Sequence, residues 1–193
     1  TKLYSDLQAG TLPHPPVTWE QKRERLAYGF ETLEKAGYTV VSAYNAVRDP
    51  ASHPFRYQDH LWGGDDMLGL GVAAFGYVNG VHSQNEVSLS DYQTAVESGR
   101  IPAKRALALS HRDQLIREFV LQLKTGTVNT GYFSNRFNVS VERVLAEPLS
   151  RLTEQEYLTV EPPQIRLTRE GLLRIDRLLP YFYDSAYQSK RYT

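Results

Sequence analysis

The chain has 193 residues, of which 41% are hydrophobic and 23% charged, enough apolar material for one medium-sized domain or parts of two. Lys plus Arg and Asp plus Glu number 22 each, so the formal net charge is zero and no global charge favours binding to a polyanion. Cysteine is absent and the five histidines form no H-x-x-x-H or H-x-H pair, which excludes disulfides and thiolate-held clusters in this chain, and no metal ligand is predicted.

The opening of the chain predicts irregular structure. Residues 12–16, L-P-H-P-P, cannot form a regular element, because proline lacks a backbone N–H and restricts the residue before it. We interpret this start as a loop inside a larger protein. Neither a signal peptide nor an apolar run of membrane-spanning length is present, so we expect a soluble, cytoplasmic protein without a membrane partner.

Residues 18–66 predict a helix, a strand and a loop. Thr18 and Gln21 have the spacing of a capping box and precede a helical apolar pattern, so a helix is expected over residues 18–36. Residues 38–44, Y-T-V-V-S-A-Y, are rich in β-formers and predict a strand. The His, Pro, Gly and Asp content of residues 48–66 predicts a loop.

Residues 67–77, M-L-G-L-G-V-A-A-F-G-Y, predict a buried strand that glycines interrupt. Glycine lowers strand propensity and leaves no side chain to pack, a cost that is accepted where a ligand or another backbone approaches closely. Tight packing without a ligand is the alternative interpretation. The run is not a dinucleotide fingerprint, because the third glycine of G-x-G-x-x-G and a following helix are both missing.

The chain from Ser88 onward predicts a largely helical domain. Its expected elements, in order, are a helix over 89–97, a linker over 99–109, a helix capped by Ser110 with apolar positions 115, 116, 119, 120 and 123, a helix over 131–137, a helix over 140–156 that bends or restarts at Pro148, strands over 157–160 and 164–167, and a helix capped by Thr168. Helices followed by a two-stranded wing and a last helix are typical of a winged-helix-like module.

Several segments together resemble one enzyme family. The run D-D-M-L-G-L-G-V-A-A-F-G, residues 65–76, is similar to a segment near the end of the incomplete barrel of oxygen-independent coproporphyrinogen III oxidases and their relatives, which are radical S-adenosylmethionine (SAM) enzymes. The likeness continues through H-S-Q-N at 82–85, L-S-D-Y at 89–92 and L-T-R-E-G-L-L-R-I-D-R-L-L at 167–179. These segments occur in the family's order over nearly the whole chain.

The resemblance implies a fold of mixed class, α/β plus α+β. Residues 1–87 would be the last strands and helix of an incomplete TIM-like barrel. Residues 88–184 would be the helical, winged-helix-like C-terminal domain of the family, and residues 185–193 a tail. The missing N-terminal part of the barrel is then an expected partner.

The resemblance also implies radical chemistry. Family members hold a 4Fe–4S cluster on C-x-x-x-C-x-x-C, cleave SAM reductively and convert porphyrinogen propionates to vinyl groups. In that scheme Gly69, Gly71, Val72, Ala73 and Ala74 contact the adenine of SAM, where small residues let a flat base reach the backbone. Since the cluster ligands are absent, SAM and the cluster belong to the parent protein, and we expect this chain alone to be inactive.

Tyr44, His60 and Trp62 are candidates for lining a pocket that holds a porphyrinogen or haem-type tetrapyrrole. Ordinary packing of aromatic side chains is the commoner use of such residues and is the alternative. The sequence names no catalytic residue.

Two other functions remain open. The first is a haem chaperone or a haem-modifying radical SAM relative, which would share the C-terminal domain and differ in substrate. The second is a winged-helix DNA-binding module. DNA binding needs clustered cations, whereas Arg143 and Arg151 stand among acidic neighbours, so nucleic acid is not expected as a partner. These neighbours are Glu142, Glu147, Glu154 and Glu156.

Overall fold

A computed structural model describes residues 2–12, 14 and 16–185 of the chain. The helices are α1 (Lys2–Gln8), α2 (Trp19–Lys35), α3 (Arg56–Gly63), α4 (Leu89–Glu97), α5 (His111–Leu123), α6 (Thr130–Phe137), α7 (Val141–Val144), α8 (Ala146–Glu154), α9 (Arg169–Leu173) and α10 (Ile175–Leu178), followed by a 3-10 turn (Leu179–Phe182). The strands are β1 (Thr39–Val40), β2 (Ala46–Val47), β3 (Phe75–Val78), β4 (Val81–Asn85), β5 (Ala103–Ala108), β6 (Thr127–Asn129), β7 (Leu158–Glu161) and β8 (Gln164–Leu167).

The described chain has a mixed fold of helices and three small sheets. The sheets have the strand orders β1-β2, β3-β4-β5 and β6-β8-β7. Every pair in these ladders is antiparallel. No helix of the described part combines the length and the hydrophobicity needed to cross a bilayer. The predicted tail lies outside the described residues from position 186 onward.

Helix α2 begins where its sequence predicts. The Thr18 hydroxyl accepts a hydrogen bond from the Gln21 N–H at 3.2 Å, and the Gln21 side chain accepts one from the Thr18 N–H at 3.0 Å. This confirms the capping box. The start of the chain differs from the expected loop, because residues 2–8 form helix α1 with a Lys2–Asp6 ion pair.

The predicted strand over residues 38–44 was too long. Only Thr39–Val40 pairs, with Ala46–Val47, because the Ser42 hydroxyl accepts hydrogen bonds from the N–H groups of Tyr44 and Asn45, both at 3.1 Å. A serine that binds the backbone two and three residues ahead turns the chain and ends the ladder. A hairpin replaces the single strand.

The predicted loop over residues 48–66 was wrong in part, because it contains α3. This helix of eight residues packs against α5 and ends at Gly64, whose φ is +97°. Its helical pattern is too short to be recognised among the Pro, His and Gly around it. Packing against another helix stabilises a short helix that propensity alone would not.

The predicted buried strand over residues 67–77 was also wrong in most of its length. Strand β3 begins only at Phe75, and Met67 forms an isolated bridge with Tyr77. Between them Gly71 and Ala73 have φ values of +99° and +59°, which belong to turns and not to strands. Leu68 and Leu70 are 75% and 80% exposed, so their hydrophobicity does not signal burial here.

The linker predicted over residues 99–109 contains β5, which pairs with β4 along Ala103–Ala108. All six residues of this edge strand are exposed on the described surface. Without a buried face, its side chains show no period-two alternation from which a strand is recognised.

The second half of the chain contains the main core. The five apolar positions predicted for α5 are all buried, which confirms the orientation of that helix. They are Leu115, Ile116, Phe119, Val120 and Leu123. The Phe119 ring lies 5.9 Å from Phe133 in α6 and 4.8 Å from Phe182 in the final turn, measured between ring centroids.

The helix predicted to bend or restart at Pro148 is divided into α7 and α8, which is the second of these outcomes. Leu145 adopts φ −111° and ψ 26° between the two helices and is buried. A continuous helix would need an N–H at position 148 to bond to the carbonyl of Val144, and proline has none. The predicted last helix likewise divides at Arg174 into α9 and α10, although Thr168 caps it as expected.

Candidate functional site

Residues 67–74 form an irregular segment, here named the glycine loop, that doubles back on β3. Backbone bonds between Met67 and Tyr77, at 2.6 and 2.7 Å, fix its start. A Cβ atom at Gly69 would lie 2.4 Å from the carbonyl oxygen of Phe75, so only glycine fits at this position. One of the predicted glycines is therefore required by close approach of two backbone segments within the chain.

The side chain of Asn85 holds the loop in place. Its Nδ2 donates to the carbonyl oxygens of Gly69 and Gly71, both at 2.9 Å, and Asn85 is 7% exposed. The Gly71 N–H donates to the hydroxyl of Tyr92 at 3.1 Å. The Ala73 N–H donates to the carbonyl of Glu86 at 2.8 Å. The inner polar groups of the loop are thus paired within the chain, as buried backbone groups must be.

The opposite face of the loop presents apolar side chains and open space. Leu68, Leu70 and Val72 are exposed, and a Cβ at Gly71 would meet no atom within 4 Å. The carbonyl of Ala74 accepts from the Asn85 N–H at 2.9 Å and keeps a second lone pair. Chemically, this face suits a flat, partly apolar group that lies against the main chain.

A second feature is an aromatic cleft between the residues just before β2 and helix α3. It has a volume of about 220 Å³ and is lined by Tyr44, Asn45, Phe55, Tyr57, Gln58, Leu61 and Trp62. The Tyr44 and Trp62 rings meet edge to face at 5.8 Å. Ligand pockets usually have about 300–1,000 Å³, so the cleft holds part of a large ligand at most.

Tyr44 is bound to the C-terminal part through Asp176. Its hydroxyl donates to the Asp176 carboxylate at 2.5 Å. Burial raises the pKa of Tyr44 far above its usual range, and the hydrogen bond to Asp176 and the negative charge of that carboxylate raise it further. Tyr44 therefore stays protonated, as a hydrogen-bond donor, at any physiological pH.

The structure brings Tyr44 and Trp62 together and leaves His60 outside the cleft. The Nδ1 atom of His60 lies 2.6 Å from the carboxylate of Asp65, and both side chains are mostly exposed. His60 and Trp62 are two residues apart on α3, which places them about 200° apart around the helix axis. Their closeness in the sequence suggests one site, but helix α3 turns the two side chains to different sides.

Sequence reasoning missed several residues of these two features. Phe55 and Tyr57 line the aromatic cleft and are 48% and 62% exposed, and the Tyr57 hydroxyl contacts the Met67 sulfur at 3.8 Å. Asn85 and Tyr92 hold the glycine loop, but in the sequence they stand out only as members of segments that resemble the family. No local pattern identifies them, since their partners lie 14 to 21 residues away in the chain.

The comparisons with known proteins give a family-model match for part of the chain and relatives that align with most of it. Residues 109–174 match the family model of the HemN C-terminal domain. An oxygen-independent coproporphyrinogen III oxidase of Pseudomonas aeruginosa is 25% identical over 197 aligned residues, which cover 90% of this chain and 42% of that protein. The heme chaperone HemW of Bacillus subtilis is 23% identical over 174 residues, covering 90% of this chain and 45% of that protein.

The same likeness extends to a solved structure. HemN of Escherichia coli, described as a coproporphyrinogen III oxidase and radical SAM enzyme, superposes with a TM-score of 0.68 at 22% identity. The match covers 90% of this chain and 42% of HemN, and it shows a shared fold. The chain spans less than half the length of these relatives.

Proposed function

We propose that this chain is the C-terminal portion of a radical SAM enzyme that resembles oxygen-independent coproporphyrinogen III oxidase. The observation that carries the proposal is the match of residues 109–174 to the HemN C-terminal domain within a likeness that covers 90% of the chain. The whole protein would decarboxylate porphyrinogen propionates in haem biosynthesis in the cytoplasm. This portion would contribute one wall of the SAM site and part of the tetrapyrrole site.

The glycine loop fits the proposed SAM contact. Its outer face carries Leu70 and Val72, and the space beside Gly71 between them is open. When bound with a reduced cluster, SAM supplies the radical that abstracts hydrogen from the substrate. This chain's own role is to offer a flat backbone surface that Asn85 keeps rigid. A 4Fe–4S cluster does not fit the chain, because there is no thiolate to hold it.

The proposed division of the chain follows the family pattern. Residues 1–87 would complete an incomplete TIM-like barrel with upstream strands, and residues 88–184 would form a winged-helix-like domain with β7 and β8 as the wing. Leu68, Leu70, Phe75 and Leu107 are 55–80% exposed on the glycine loop and the β3-β4-β5 sheet. Apolar side chains exposed together mark an interaction surface, and we propose the upstream barrel as its partner.

Binding of DNA by this module is disfavoured by its charges. Arg151 lies over the Tyr181 ring at 4.6 Å. Its acidic neighbours on α8, Glu147 and Glu154, would repel phosphate.

A haem chaperone is the second candidate, since HemW of Bacillus subtilis matches the same 90% of the chain. For either function we propose that Tyr44 and Trp62 contact the tetrapyrrole from the aromatic cleft. Haem and coproporphyrin titrated separately into the purified chain, followed by their visible absorbance, distinguish the two ligands. Haem binding that Trp62→Ala abolishes would favour the chaperone, and binding of neither ligand would remove the cleft from the site.

The main proposal is tested by the reading frame upstream of Thr1 and by the protein that it encodes. We expect C-x-x-x-C-x-x-C there, and SAM cleavage to 5′-deoxyadenosine by the reconstituted protein. A gene that begins near Thr1 and encodes no such motif would overturn the proposal.

The SAM contact has its own test in that complete protein. Ala74→Leu should weaken equilibrium SAM binding at least about tenfold, or about 1.4 kcal/mol, because a bulky side chain keeps the base from the backbone. A thermal melt on the same preparation controls for folding, since overpacking alone costs about 1–3 kcal/mol. We expect the second half of the chain, which has its own core, to keep its midpoint of thermal unfolding. Unchanged affinity in a folded variant would remove Ala74 from the site.

A further inference from the structure

Helix α5, within the part that matches the HemN C-terminal domain, touches the β3–β4 hairpin at two points. The guanidinium carbon of Arg117 lies 3.5 Å from the ring centroid of Tyr77 in β3. At the hairpin turn, a Cβ on Gly80 would lie 2.7 Å from Nε2 of Gln114, so the turn rests directly on that side chain. The Gly80 carbonyl also accepts from the N–H of Leu109 at 2.9 Å. Two separate contacts therefore join α5 to the hairpin.

Tyr77 connects this hairpin to the glycine loop. Its N–H and C=O both bond to the backbone of Met67, where the loop starts. Its side chain is 1% exposed and its ring lies between Arg117 and the imidazole of His82, 4.8 Å away between centroids. Because ring and backbone of one residue move together, whatever fixes the Tyr77 ring also fixes the first residue of the loop.

In the Arg117–Tyr77 contact the tyrosine is buried and the arginine is half-buried. Among the described residues, Nη1 of Arg117 and the hydroxyl of Tyr77 are both inaccessible and have no hydrogen-bond partner. The nearest acid in the sequence, Glu118, is occupied by Arg136 at 2.9 Å and by the Tyr132 hydroxyl at 2.6 Å. A partly desolvated cation over an aromatic ring binds more strongly than an exposed one, and the charges of Glu118 and Asp66 also act on this guanidinium.

We propose that Arg117 is a positioning residue, through which the C-terminal domain sets the conformation of the glycine loop. The guanidinium holds the Tyr77 ring, Tyr77 holds Met67, and Met67 fixes the start of the loop whose outer face is open to a ligand. The proposal rests on the proposed function only for the identity of that ligand as SAM. A loop ordered by the C-terminal domain would make an intact domain a condition for cofactor binding.

Hydrogen–deuterium exchange on the 193-residue chain tests the proposal without SAM. In Arg117→Met, which keeps the aliphatic length and removes the charge, the amides of Met67 and Tyr77 should exchange at least about tenfold faster. The amides of α6 and β8 should keep their protection. Arg117→Lys, which restores a cation, should recover most of the protection at Met67 and Tyr77. Arg112→Met, at an exposed arginine of the same helix, is the matched control and should change neither region.

Three results would overturn the proposal. They are unchanged protection of Met67 and Tyr77 in folded Arg117→Met, an equal loss of protection in α6 and β8, and a lysine variant no better than the methionine variant. If Arg117→Met does not fold, Tyr77→Leu removes the other half of the contact and must give the same regional pattern. Failure of SAM to bind the complete protein would count against the proposed function and leave these exchange results standing.

Discussion

Asn85 shows how much of the candidate site depends on a single side chain. One amide group donates to two carbonyls of the glycine loop, and its backbone N–H donates to a third, so three loop carbonyls depend on this residue. Such a contact network fixes the loop from inside while its outer face remains open.

Replacement of this amide should therefore destabilise the loop. We expect Asn85→Asp to lower the free energy of unfolding by about 1–3 kcal/mol, because a carboxylate would face two carbonyl oxygens that have lost their donor. Urea unfolding measures the loss. Gln84→Ala is the control and should cost less, because it removes a longer bond to the Ala73 carbonyl, at 3.3 Å, and an exposed bond from Arg105 Nε, at 2.7 Å. Equal stability of Asn85→Asp and the unmodified chain would contradict the assigned network.

His82 makes the hairpin sensitive to pH. Burial lowers its pKa below the usual range, and the positive charge of Arg117 lowers it further. The folded state therefore favours neutral His82 and binds fewer protons than the unfolded state. The resulting stability is fully present above the unfolded pKa of about 6.5 and is lost as the pH falls below that value.

Urea unfolding between pH 7.5 and 5.5 tests this predicted loss of stability at lower pH. We expect the unmodified chain to lose stability over this range, and His82→Phe, which keeps a ring beside Tyr77, to lose less. A steeper pH dependence in the variant would show that other groups dominate.

At the scale of elements, close approach of backbones decides where helices can start. Helix α9 lies so near β7 that a Cβ on Gly171 would be 2.0 Å from the carbonyl oxygen of Tyr157. The Gly171 N–H also completes the Thr168 cap, at 3.1 Å. The glycine of the L-T-R-E-G segment is thus explained by packing between this helix and the wing.

Gly171→Ala should destabilise the chain by at least about 1–3 kcal/mol, because the helix must move away from β7. Gly29→Ala in α2 is the matched control, since a Cβ there meets nothing within 4 Å. Alanine in place of a glycine inside a helix stabilises by about 1 kcal/mol. Thermal unfolding of both variants measures the two effects. Similar melting temperatures of Gly171→Ala and Gly29→Ala would contradict the close packing of α9 against β7.

At the scale of the whole molecule, the main core belongs to the second half of the chain. Among the described residues, its buried members run from Leu115 to Phe182 and include one from the first half, Ala43. The glycine loop and its sheet instead leave large apolar side chains exposed.

Because the chain has no cysteine, we expect it to hold no iron–sulfur cluster by itself. After anaerobic reconstitution with iron and sulfide, the isolated chain should show no stoichiometric iron–sulfur absorbance near 400 nm, roughly where such clusters absorb, because it contributes no cysteine. The complete protein, which includes the upstream sequence, is reconstituted in the same way and is the positive control. A stoichiometric cluster on the isolated chain would mean that other ligands had been overlooked.

The sequence by itself determined the helical part of this protein. The apolar register of α5, the caps at Thr18, Ser110 and Thr168, and the break before Pro148 all follow from local rules that act within a few residues. The likeness to one family also followed from the order of its segments. Such features are recognisable because burial on one face imposes a periodic pattern on neighbouring residues.

Only the tertiary structure decided the shape of the candidate site. The exposed strand β5 has no alternation to recognise, and the short helix α3 is stabilised by packing against α5. The sequence predicts a strand through Gly69 and Gly71, but the amide of Asn85, 16 and 14 residues away, holds them in a turn. Contacts between residues distant in sequence leave no local periodicity, and therefore only the folded chain reveals them.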